Sequence, residues 1–338
     1  MKDCHRNIYV IFAGVLLLFL LFLSNLFMGS VALPFEAVAD ILLGSDTGNE
    51  AWRLIVVETR LPQAVTALFA GMSLAVAGLL LQTLFNNPLA GPEVLGVNSG
   101  AGLGVAVVML LLQGSMGIGG YLLVLSGAFL GALLIIMLVL LLSHLLSNNI
   151  YLLIAGLAIS YLASSVISIL NYFSTAEGVH SYLIWGMGGF GGVSMDMLPL
   201  YSGLLAAMLL CALLLVKPLN VILLGDAYAR NLGVNIKRLR GILLLLVGGI
   251  TAVVTAFCGP IAFIGLAVPH LARLAVNTAN HRVLLPVTIL AGGAVALVCN
   301  LVCQLPGGSG LLPLGAVTSL IGAPVIIYVV LKERLNGR

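Results

Sequence analysis

The sequence predicts an all-α polytopic membrane protein with about ten transmembrane helices. Three observations predict it: too few charges for a soluble surface, ten apolar stretches of spanning length, and basic residues gathered almost wholly on one side. Of 338 residues, 61% are apolar and only 7% are charged. A soluble domain carries about 25% charged residues, so the main solvent of this chain is lipid. Its 40 glycines agree, because helices in lipid associate through close packing at small residues.

A spanning helix needs about 20 mostly apolar residues. The candidate spans are 8–29, 61–84, 93–113, 119–145, 150–172, 195–216, 240–257, 261–276, 283–303 and 312–331, the eighth being short and interrupted. Pro62, Pro199, Pro218 and Pro313 lie at or near span ends, where proline costs least. The first span follows Lys2 and Arg6 as a signal peptide would. Its apolar run from Ile8 to Leu23 is longer than a signal core, and no small-residue cleavage site follows, so it reads as a retained helix.

Ten spans and a cytoplasmic N-terminus place both termini inside. Lys2, Arg6, Lys217, Arg230, Lys237, Arg238, Arg240, Arg273, Arg282, Lys332, Arg334 and Arg338 then fall inside, and only Arg53 and Arg60 outside. Cytoplasmic loops are the ones that collect Lys and Arg. Losing one span would swap the later loops and destroy this bias, so count and orientation support each other. The chain reads as a single domain, 1–338, with two sizeable extramembrane segments. The external one, 31–60, contains Pro34, Phe35, Val38, Ile41 and Leu42, the pattern of a short amphipathic helix at the interface. The other is the cytoplasmic loop 217–240.

Several function classes are disfavoured by what is missing. The four lysines are followed by Asp3, Pro218, Arg238 and Glu333, so no P-loop lysine precedes a Ser or Thr. ATP, if used, is hydrolysed on another polypeptide, and this chain is expected to be no enzyme and to bind no cofactor. A literal GxGxxG occurs at Gly186, Gly188 and Gly191 in the run WGMGGFGG. It follows an apolar helix, and dinucleotide binding needs a strand before the turn. Irregular backbone near the outer mouth, lining a cavity, is the better account.

Cys4, Cys211, Cys258, Cys299 and Cys303 form no CxxC pair, and the five histidines do not pair at ligand spacing. They read as core and loop residues, with no metal site. His180, in an external loop with Glu177, reads as a solvated residue rather than a haem or metal contact. Ion-coupled transporters bury charged residues at mid-membrane. Here Glu93 opens the third span, Asp196 opens the sixth, and no charge falls in the middle third of any span. That disfavours the alternative of an ion-coupled secondary transporter. No polar cluster near an interface supports a lipid-modifying enzyme, and no nucleic-acid partner is expected.

Residues 60–104 contain Arg60-Leu61-Pro62, Gln82, Asn87-Pro88-Leu89-Ala90, Leu95-Gly96 and Gly100-Ala101-Gly102. A second block, GPIAFIGLAVPHLARL at 259–274, is followed by His281-Arg282 and Leu284-Leu285-Pro286. A third is LPLGAVTSLIGAPVIIYVVLK at 312–332. These blocks, in this order over nearly the whole chain, resemble the permease subunits of the iron-siderophore, haem and vitamin B12 ABC importer family. The resemblance implies the type II ABC importer permease architecture in the bacterial inner membrane. It implies a homodimer with the pathway on its axis, two cytoplasmic ATPase subunits carrying ATP and Mg, and an external substrate-binding protein. Iron chelates, the commonest cargo of the family, are the first expectation.

The family also has a pseudo-repeat, and Gly91-Pro92 followed by Gly96 faintly echoes Gly259-Pro260 followed by Gly265. Within 217–240, Asp226-Ala227-Tyr228-Ala229-Arg230-Asn231-Leu232-Gly233 is similar to the family's ATPase-coupling segment. Gly233 can turn the chain; Ala227, Ala229 and Leu232 offer a small apolar knob; Arg230 brings charge. A channel would not need such a segment. Ser147, Asn148 and Asn149 match the family's cytoplasmic gate. Ser160, Ser164 and Ser168 form an i, i+4, i+8 row on the fifth span, which lines a pathway or packs helices. Arg60 matches an outer docking arginine. Gln63 and Gln304 stand where relatives carry others, with Arg53 nearby, so docking should depend less on salt bridges.

Overall fold

The computed structural model describes residues 2–44, 49–111, 118–146, 149–304 and 312–335. Among these every regular element is helical. Helix α1 (Lys2–Phe27) leads to the short α2 (Phe35–Leu42). Next, α3 (Glu50–Leu54), a π-turn over Ile55–Arg60 and α4 (Leu61–Phe85) run on as one 36-residue helix, Glu50–Phe85. A 3₁₀ turn at Pro92–Leu95 precedes α5 (Val97–Ala106), which widens into a second π-turn over Val107–Leu111. Then come α6 (Ile118–Leu145), α7 (Asn149–Phe173), α8 (Ala176–Gly186), α9 (Leu198–Leu214) and α10 (Val216–Ile222). The chain ends with α11 (Asp226–Asn231), α12 (Ile236–Cys258), α13 (Ile264–Val276), α14 (His281–Cys303) and α15 (Leu314–Leu335).

Six of these are long and apolar enough to cross a membrane, seven if α9 and α10, bent by 52°, count as one. Three shorter apolar helices, Val97–Leu111, Ile264–Val276 and Leu314–Val329, stand where the third, eighth and tenth spans are expected. Each of the ten expected stretches thus contains a helix among the described residues. The sequence misses α8, which is a helix and not a loop, so His180 lies exposed on a helix surface.

The centre of the bundle is α4, almost wholly buried and wrapped by α14, α13, α12 and α9. It has no polar face, as a helix surrounded by other helices requires. Glycines set how near its neighbours come. A Cβ on Gly71 would overlap the Gly292 carbonyl of α14, and one on Gly78 would overlap the Gly265 carbonyl of α13. Side chains at these positions would hold the helices apart. Polar residues fasten the outer helix α1 to this centre. Asn300 Nδ2 donates to Asn25 Oδ1 at 2.8 Å, and Asn25 Nδ2 donates to the carbonyls of Leu21 and Leu297. The short α2 lays Val38 and Ile41 against Val56, and Phe35 stacks on Phe27 at 4.2 Å.

The two ends of the bundle differ. One gathers the start of α1, the ends of α4 and α13, and the segment α10–α11; there Arg6 Nη2 donates to the Val276 carbonyl at 3.0 Å. The opposite end carries α2, α3, α8 and the glycine run after α8.

Candidate functional site: the coupling segment and the pathway helices

Helix α11 hangs between two glycines with left-handed backbone, Gly225 (φ 94°) and Gly233 (φ 82°). After α11 the Val234 N–H donates to the Ala229 carbonyl and the Gly233 N–H to the Arg230 carbonyl, both at 3.0 Å. This pair of bonds is the Schellman closure, with glycine at its left-handed position. Open space surrounds a Cβ added at Gly233, so the backbone conformation, not room, demands glycine there. Asn235 then caps α12, its side chain accepting from the Arg238 N–H.

The expected knob is rearranged. Ala229 is fully buried and faces inward, whereas Tyr228 is 68% and Leu232 is 62% exposed. Ala227 and Arg230 are also exposed; of the Asp226 side chain nothing is described. A glycine-capped two-turn segment with an exposed tyrosine and leucine offers an apolar surface at one end of the bundle.

Behind this segment lies a cavity of about 180 Å³ lined by polar groups, among them Gln82, Thr83, Asn86, Asn87, Arg273 and His281. Gln82 joins α4 to α13: its Nε2 donates to the Leu266 carbonyl at 3.2 Å, and its Oε1 accepts from Arg273 Nη1 at 2.7 Å. His270 Nε2 lies 2.8 Å from the Pro88 carbonyl. These contacts account for Gln82 and Asn87-Pro88 as local structure holding the turn after α4, which Asn86 closes in a left-handed conformation (φ 46°).

Of the gate residues, Ser147 and Asn148 lie outside the described residues, and Asn149 is the first residue of α7, its side chain likewise outside. The chain just before them is held from the coupling side: Arg240, in the second turn of α12, donates through Nη1 to the Leu146 carbonyl at 3.2 Å.

The serine row of α7 does not share one environment. Ser160 is half-buried beneath Gly96 and donates to the Gly156 carbonyl at 3.0 Å. Ser168 donates to the Ser164 carbonyl at 2.9 Å, and both are exposed. Each step of four residues advances about 40° beyond a full turn, so over eight residues the row rotates away from the bundle. On the exposed side Ser164 and Ser168 accompany Tyr161 (74% exposed) and Tyr172 (83% exposed).

On the opposite end Arg53 is exposed on α3, but Arg60 is 3% exposed. Arg60 Nη1 donates to the carbonyls of Leu26 and Phe27, each at 2.9 Å, and Nη2 donates to the Val31 carbonyl. The docking role expected of Arg60 is therefore corrected. Its guanidinium satisfies the carbonyl end of α1, where a helix leaves four acceptors without partners. Gln63 is half-buried and Gln304 is buried at the end of α14.

The glycine run forms an irregular wall, as expected. Gly188 is left-handed (φ 69°), and the Gly189 N–H donates to the Cys258 carbonyl at 2.8 Å. With Tyr121, Trp185 and Phe257 it lines a cavity of about 750 Å³. The Gly91-Pro92 break meets the start of α13: Pro92 packs on Gly265, and Glu93 Oε1 accepts from the Phe263 N–H at 2.8 Å. A carboxylate serves the start of α13, where Phe263 is left-handed (φ 67°) and offers no side-chain cap. No group of three or more possible metal ligands occurs among the described residues.

Residues 16–332 match the model of the FecCD transport family. The chain belongs to the FecCD transport family. The vitamin B12 import system permease protein BtuC of Klebsiella pneumoniae is 38% identical over 286 residues, covering 84% of this chain and 85% of that protein. BtuC of Salmonella typhi is 37% identical, covering 93% of this chain and 95% of that one. A solved metal-chelate type ABC transporter in an inward-facing conformation superposes with a TM-score of 0.83 at 30% identity, covering 96% of this chain and 99% of that one. The PsaBC structure from Streptococcus pneumoniae (TM-score 0.56, 16% identity) shares the fold alone. The fold is that of a type II ABC importer permease, and the chain is a multi-pass membrane transport permease.

Proposed function

We propose that this chain is the membrane-spanning subunit of an ATP-driven importer that carries a bulky metal chelate inward across the inner membrane. It works as a homodimer, with two cytoplasmic ATPase subunits that bind ATP and Mg and an external substrate-binding protein. Both termini and the α10–α11 segment lie in the cytoplasm, as the distribution of basic residues requires. The observation that carries the reading is the exposed, glycine-capped α11 with Tyr228 and Leu232 outward. An ion-coupled carrier has no need of such a segment. Among metal chelates, cobalamin is the first candidate because the similar permeases are named for vitamin B12 import. Ferric siderophores and haem are the alternatives. Arg53, exposed, remains the proposed basic contact for the binding protein; Ser147, Asn148 and Asn149 remain the proposed gate, and Ser164 and Ser168 line the pathway between two copies.

The test uses liposomes holding this chain with its ATPase and binding protein, given labelled cobalamin, ferric siderophore and haem in parallel. The reading expects one ligand to accumulate only with ATP and the binding protein present. Accumulation driven by an ion gradient without ATP contradicts it. Gly233→Trp, which forces a bulky residue into left-handed backbone, is expected to leave a folded protein that no longer links hydrolysis to uptake.

A further inference from the structure

The α10–α11 segment makes a polar joint with the membrane helices at one histidine. Helix α10 packs on α4 and α14, and Asn220 on α10 is the polar contact. Asn220 Oδ1 accepts from the His281 backbone N–H at 2.8 Å and lies 2.9 Å from His281 Nδ1; Asn220 Nδ2 donates to Asn280 Oδ1 at 2.9 Å. On the other side of the ring, His281 Nε2 lies 2.8 Å from the Thr83 hydroxyl of α4. His281 is 1% exposed and Thr83 is 5% exposed, so the contact between them is buried. The ring thus sits between the coupling segment, the first turn of α14 and the last turn of α4. The 180 Å³ cavity beside it leaves room for the ends of these helices to shift.

The hydrogen inventory gives this joint two arrangements. A backbone N–H only donates, so the Asn220 atom facing it is the oxygen, and Nδ1 of His281 must carry a hydrogen. With the ring neutral, Nε2 accepts from Thr83. Thr83 has one hydroxyl hydrogen, and its oxygen also lies 2.9 Å from the Leu79 carbonyl. The hydroxyl donates to the ring or to its own helix, not to both. Helices α4 and α14 are locked backbone to backbone at Gly71 and Gly292, so a displacement delivered at either end of this joint moves both.

We propose that His281 is a positioning residue for ATP-coupled transport, transmitting movement of the α10–α11 segment through Asn220 to α14 and, through Thr83, to α4. This rests on the reading that a partner ATPase drives the protein.

The test measures ligand imported per ATP hydrolysed in liposomes with the partner ATPase and binding protein. His281→Ala and Asn220→Ala are each expected to lower that ratio by at least about ten-fold, while ATP hydrolysis stays near the wild-type rate. The double variant should be no worse than either single one, because both break the same link. His281→Asn, which restores a donor to Asn220, should recover part of the ratio. A lowered melting temperature with an unchanged ratio in both single variants would overturn the proposal and leave the network structural. Asn220 is only half-buried, so Asn220→Ala keeps the test decisive if His281→Ala fails to fold. Wild-type protein that imports without ATP would instead overturn the underlying function, and this proposal with it.

Discussion

Helices α4 and α7 have similar lengths and similar apolar composition, yet they occupy opposite situations. Helix α4 is buried on every side, and 78% of the best spanning window in its continuous helix lies inside the protein. Only 17% of the corresponding window of α7 does. Hydropathy does not tell them apart. What does is the kind of residue at each surface. Helix α4 carries Ala64, Ala67, Ala70, Gly71, Ala75 and Gly78 among its buried positions, so neighbouring backbones come close. Helix α7 turns Tyr161, Leu162, Tyr172 and Phe173 outward, large side chains that cannot let another helix backbone come close within the same chain. In lipid, packing and not hydrophobicity selects the interior. The first helix is the buried centre; the second offers a free face on which a second copy and a pathway would lie.

The comparison is broken most severely at Gly78. Gly78→Leu puts a side chain where the Gly265 backbone lies, and no folded protein is expected on purification in detergent. Gly203→Leu, where a Cβ meets nothing, should purify normally; equal yields would show that the α4–α13 approach is not a packing requirement. Next comes Arg60→Met, which leaves the carbonyls of Leu26, Phe27 and Val31 without their donor. A loss on the order of 3 kcal/mol is expected from the unpaired buried acceptors, read as a lowered melting temperature. Unchanged stability would return Arg60 to the docking surface. Smaller still is Asn300→Leu, which removes the link to Asn25 between α14 and α1. Interhelical hydrogen bonds of this kind contribute about 1 kcal/mol, so a small fall in melting temperature with uptake retained is expected. A complete loss of uptake would give that pair a part in transport. At the bottom of the scale, His180→Ala on the exposed surface of α8 should change uptake little; its abolition at normal expression would reveal a ligand contact.

Most of the helices were legible in the sequence, because long apolar stretches are a direct signature of lipid. The turn after α11 was legible through Gly233, whose left-handed closure is a local property. What was not legible depends on contacts between distant residues. Arg60 carries the charge of a docking residue, and only its three carbonyl partners show that it is structural. Glu93 reads as a residue at a span end, and only its bond to the Phe263 N–H shows its carboxylate at the start of α13. Ser160 and Ser168 share a spacing but not a surface, since the rotation over eight residues matters only once neighbouring helices are placed. His281 gives no sign by spacing alone; its partners are 61 and 198 residues away.

The contrast between α4 and α7 is tested most directly by cross-linking in the membrane. In a background with Cys4, Cys211, Cys258, Cys299 and Cys303 replaced, a single cysteine is placed at Ser164 on α7 or at Leu16 on the lipid-facing side of α1. If α7 faces a second copy, oxidation joins two chains through Ser164→Cys and leaves Leu16→Cys monomeric. Cross-linking through Leu16→Cys with none through Ser164→Cys would contradict the account, and would move both the dimer axis and the pathway away from α7.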